Sequence, residues 1–181
     1  MYKFVVTLHV LAAVLIIGPF ALAGFAGHRA IRRNDADDTR DAARFMARFG
    51  IGSLVVALLG VGALGSSDRY TFRTPWVIIS LTLYVVAMGV ATGYTVPAMR
   101  KAAALIEAAD QPVPVEQPAP VAGEGDSEGD TPAPPPGFAS QNAATRERLG
   151  GIAGRVIGSG ALVLVLVALI TILMVTRPFG R

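Results

Sequence analysis

His9 is the only ionisable side chain, tyrosine aside, within the long uncharged stretches of this 181-residue chain. An imidazole surrounded by lipid is costly unless it is hydrogen-bonded or used, so its chemistry comes first. Three kinds of chemistry suit it. One is axial ligation of haem b. His28 cannot complete that pair within one molecule, because it stands 19 residues further along the same helix, about 28 Å away. A second ligand would come from Met174, Met88 or the His9 of another copy. Another kind is copper(I), held by the His9 imidazole and the Met174 thioether, since soft sulfur suits that ion. The third is a proton relay or a quinone contact. Beside these stands a structural role, in which the ring is hydrogen-bonded between helices. His9 lies roughly 8 Å inside its stretch at the helical rise. Ser80, Thr82, Tyr84, Thr171 and Met174 fall at a similar depth on other stretches, which makes Ser80 or Thr171 the expected partner.

Nothing else assembles a catalytic set. The uncharged stretches hold no paired carboxylates, and the chain has no Ser-His-Asp grouping, phosphate-binding loop or zinc motif. The protein is therefore read as non-catalytic with no resident cofactor, haem b or copper at His9 being the alternative. With no cysteine, disulfides, thiolate metal sites, iron–sulfur clusters and covalently attached haem are excluded.

The elements that position these residues follow from the stretches without Asp, Glu, Lys or Arg. They cover about 4–27, 49–67, 75–99 and 156–176. A helix of that length crosses a hydrocarbon core about 30 Å thick. The fold class is all-α, a four-helix transmembrane bundle. The first stretch is read as an uncleaved span and not a signal peptide, because it is long for a signal and only Lys3 precedes it. Pro19 should kink it. Residues 38–48 read as a short amphipathic helix leading into the second span, with Ala42, Phe45, Met46 and Phe49 on one face and Arg40, Arg44 and Arg48 in a stripe that meets lipid phosphates. The connection 68–73 is short and should make the second and third spans antiparallel neighbours. Residues 111–140 are rich in proline and acidic residues and read as a disordered linker. Residues 141–155 recover helical character as a juxtamembrane segment before the last span.

Basic residues set the orientation. Arg29, Arg32, Arg33, Arg40, Arg44, Arg48, Arg100, Lys101, Arg146, Arg148 and Arg155 fall on one side; Lys3, Arg69, Arg73, Arg177 and Arg181 fall on the other. The richer side should be cytoplasmic, giving an N-out, C-out protein of a bacterial plasma membrane. The net charge of +3 belongs to these membrane flanks, which face anionic headgroups; nucleic acid is not the partner.

Burial alone does not hold helices together in lipid, and close backbone approach does. The candidate packing glycines are Gly60 and Gly65 on the second span, Gly89 and Gly93 on the third, and Gly154 and Gly158 on the fourth, which should dock through that edge. The same strips suit a homo-oligomer or a larger membrane complex. The run Leu8-His9-Val10-Leu11-Ala12-Ala13-Val14-Leu15-Ile16-Ile17-Gly18 resembles the first helix of an uncharacterised family of bacterial predicted integral membrane proteins, and more weakly the helices of CopD-like copper-resistance membrane domains. The resemblance implies a four-helix bundle with His9 as the matching histidine. The leading functional expectation is an accessory or self-associating membrane component; the alternative is haem or copper handling at His9.

Overall fold

The computed structural model describes residues 2–67, 71–110 and 138–176, with side chains from 143 onward in the last segment. These residues form five α-helices and one π-helical turn, with no strand among them. They run α1 Tyr2–Arg32, α2 Ala36–Gly65, α3 Pro75–Val90, the π turn Ala91–Thr95, α4 Val96–Asp110 and α5 Phe138–Thr176. Since α3, the π turn and α4 are continuous, four helices are long and apolar enough to cross a membrane. The linker expected at 111–140 lies outside the described residues except for the backbone of its last three positions, which opens α5.

Each helix outruns the apolar stretch that announces it. Nearly the whole arginine-rich loop is helical, because α1 ends in a compact cap. Asn34 takes a left-handed conformation (φ 54°), and the Asp35 and Asn34 N–H groups donate to the Ala30 and Ile31 carbonyls at 3.1 Å each. This is the reciprocal closure that left-handed C-caps provide. Asp35 then caps α2, accepting from the Asp38 N–H at 2.8 Å. The amphipathic segment 38–48 is thus the first part of α2, without a break before the span. Helix α1 also runs through Pro19 without interruption.

The π turn sits immediately before Pro97. A proline ring clashes with the carbonyl four residues back, and a widened turn relieves that crowding. Thr95 uses the turn: its hydroxyl lies 3.1 Å from the Val90 carbonyl and 2.8 Å from the Ser159 hydroxyl, joining this helix to α5.

The second and third spans are neighbours, as expected, but they meet mainly at the π turn and α4, while α3 packs along α5. The buried residues of α3 are the small Ser80 and Ala87, whereas Tyr84 and Met88 reach Ser53 of α2. The dense core therefore lies toward the arginine-rich end, where Ile31, Met46, Met99, Ile106 and Ala153 are buried together. The half holding the N-terminus is looser.

Candidate functional site

In that looser half, α1, α2, α3 and α5 border a half-open cavity of about 600 Å³. Of the residues placed at one depth by the sequence, His9, Ser80, Tyr84, Thr171 and Met174 line it, whereas Thr82 does not and donates to the Ile78 carbonyl of its own helix. So does Trp76, the sole tryptophan. No Asp, Glu, Lys or Arg contributes to its wall among the described residues.

The His9 ring is held against α2. Its Nδ1 lies 2.9 Å from the Val56 carbonyl. A carbonyl only accepts, so in the neutral ring Nδ1 carries the proton and donates, leaving the Nε2 lone pair unspent by this bond. The expected partners Ser80 and Thr171 are not used; the Thr171 hydroxyl donates to its own helix at Val167, 2.9 Å away. A helix carbonyl on the neighbouring span serves because Gly60 lets the ring lie on the α2 backbone. A Cβ at Gly60 would come within 3.0 Å of His9 Cε1.

The other polar groups differ in how they are satisfied. The Tyr84 hydroxyl lies 2.9 Å from the Ser53 hydroxyl, which in turn donates to the Gly50 carbonyl at 2.7 Å, with Met88 Sδ 3.2 Å away. Ser80 is 3 % exposed and its Oγ has no hydrogen-bond partner. A buried hydroxyl left unpaired costs about 1–3 kcal/mol.

The remaining candidates lie elsewhere. A Cβ at Gly65, Gly89, Gly93, Gly154 or Gly158 would meet no atom within 4 Å, so none of these makes a close crossing inside the chain. Helix α5 docks through another glycine. A Cβ on Gly24 would fall 2.8 Å from the Gly160 Cα, so α1 and α5 touch backbone to backbone there. At 3.6 residues per turn Gly160 shares a face with the buried Ala153, Val156 and Val163, while Gly154 and Gly158 lie round the helix. Near that crossing His28 Nδ1 bonds the Ala153 carbonyl at 3.0 Å, so His28 is a second link from α1 to α5. Glycine spacing alone did not separate Gly160 from its neighbours; the inward apolar pattern of α5 is the signal that does.

Of the arginine stripe, Arg40 bridges Asp37 at 2.8 Å and Glu107 of α4 at 2.6 Å. Arg44 pairs with Asp41 at 3.2 Å, and both Arg44 and Arg48 are exposed. No group of three or more His, Asp or Glu side chains is arranged to hold a metal ion among the described residues.

No curated protein and no solved structure matches the chain. A family model does, over residues 3–119, a span that takes in α1 to α4. The chain belongs to the family described as "Predicted integral membrane protein (DUF2269)".

Proposed function

We propose that this integral membrane protein is a non-catalytic binding component of the bacterial plasma membrane, holding an apolar small molecule in the cavity beside His9. The observation that carries this reading is a cavity of about 600 Å³ among spans, apolar except for a few convergent polar groups, which is the pattern of small-molecule sites. Its accessory character rests on the lack of a catalytic set in the sequence and on the open glycine strips of α3 and α5, which leave room for a second copy or another membrane protein. The arginine-rich end is the cytoplasmic one, by its excess of basic residues.

The test uses energy transfer from Trp76 to the apolar dye N-phenyl-1-naphthylamine, with the full chain in lipid nanodiscs. Saturable transfer is expected, reduced when Ala57, on the wall, is changed to Phe. Transfer that only tracks dye dissolved in lipid removes the reading.

One observation favours a second reading, haem b or copper at His9. Histidines that bind metals characteristically donate their other ring N–H to a carbonyl, as Nδ1 does here, and Met174 lines the same cavity. A Soret band or bound copper in purified protein, lost in His9→Ala, would establish it. Colourless, metal-free protein that takes up neither ion nor haem would remove it.

A further inference from the structure

The cavity wall defines the chemistry of its ligand, and this inference rests on the cavity being a binding site. The wall carries no charged residue among the described ones. An anionic headgroup or a haem propionate would find no ion-pair partner there, and an unpaired charge out of water is strongly disfavoured. Among the described residues the wall thus suits an uncharged ligand.

One polar position remains for it. His9 Nε2 offers a lone pair, because the Val56 carbonyl holds the ring proton on Nδ1. The Ser80 hydroxyl, though without a partner, is shut off from the cavity by its burial. By contrast Tyr84 is occupied by Ser53, and Thr171 by Val167. A complementary ligand donates one hydrogen bond. A saturated acyl chain donates none. The wall also bears the rings of Tyr2, Phe20, Phe72, Trp76 and Tyr84, which favour a planar ring over a flexible chain.

We propose that the cavity binds the ring of a lipid-soluble hydroquinone. One ring hydroxyl donates to His9 Nε2. The oxidised quinone lacks that donor, so it binds by ring packing alone. No electron transfer is part of the proposal.

The probes are decylubiquinol and decylubiquinone, titrated into the full chain in nanodiscs, with quenching of Trp76 as the readout. Both should quench saturably, the quinol more tightly. His9→Ala should weaken the quinol about tenfold while changing the quinone less than about threefold. Ser80→Ala, which breaks no native hydrogen bond and removes no ligand contact, should leave both affinities unchanged. Equal loss of quinol and quinone in His9→Ala overturns the proposal, as does the absence of saturable quenching. If the naphthylamine dye binds and neither probe quenches or displaces it, the hydroquinone assignment falls and the cavity reading stands. If the dye fails as well, both fall.

Discussion

Ser80 and His9 show opposite ways of keeping a polar group inside an apolar bundle. His9 is satisfied by a backbone carbonyl across the helix interface, and Ser80 is buried without a partner. Removing an unpaired buried hydroxyl removes its desolvation penalty, so Ser80→Ala should stabilise the ligand-free protein by about 1 kcal/mol, read as a raised midpoint in a denaturant titration in detergent. A fall in that midpoint would show that the hydroxyl has a partner. Gly60→Leu should act in the opposite sense. Its side chain would occupy the space of the His9 ring, displacing it from Val56 and costing about 1–3 kcal/mol by overpacking. That His9 matters was legible from its type alone, because an ionisable group in an uncharged stretch stands out. Its partner was not legible, since any of the surrounding helix carbonyls reads the same in a sequence and only the rotation of α1 against α2 selects Val56.

At the scale of elements, glycines at similar spacing do different work. Gly24→Val should separate α1 from α5, because its Cβ would meet the Gly160 backbone, which has no side chain to move aside. A loss of about 1–3 kcal/mol is expected, with the protein melting earlier by circular dichroism. Gly154→Val, with no atom within 4 Å, should leave that melt nearly unchanged. If Gly154→Val also abolishes cross-linking between copies in the membrane, the outward strip is a self-association face. Retained cross-linking would remove it. The number and approximate centres of the spans were readable from charge-free length. Their true ends were not, because the flanking segments of α2 and α4 are amphipathic, and only packing against each other makes them continuous with the spans. That the third span meets α2 through its second half, and α5 through its first, was equally hidden.

For the whole molecule, packing is divided between two halves. The arginine-rich end holds the dense core, and the N-terminal end holds the cavity. Orientation is testable because the chain has no cysteine to mask a probe. In intact cells with a permeable outer layer, Thr71→Cys should react with a membrane-impermeant maleimide and Asn34→Cys should react only after lysis; the reverse result would invert the topology. Glu107→Gln should change stability by less than about 1 kcal/mol, since its pair with Arg40 is exposed to water, as thermal melts at low and high salt would check. The amino-acid sequence by itself determined that the chain lives in lipid as four helical spans, because apolar length and the demand for internally closed backbone hydrogen bonds leave no other arrangement. Tertiary structure alone decided which glycine bears the α1–α5 crossing, which carbonyl holds His9 and where the bundle is hollow. Those depend on the rotation and tilt of each helix against its neighbours, which side-chain shape sets and linear order does not record.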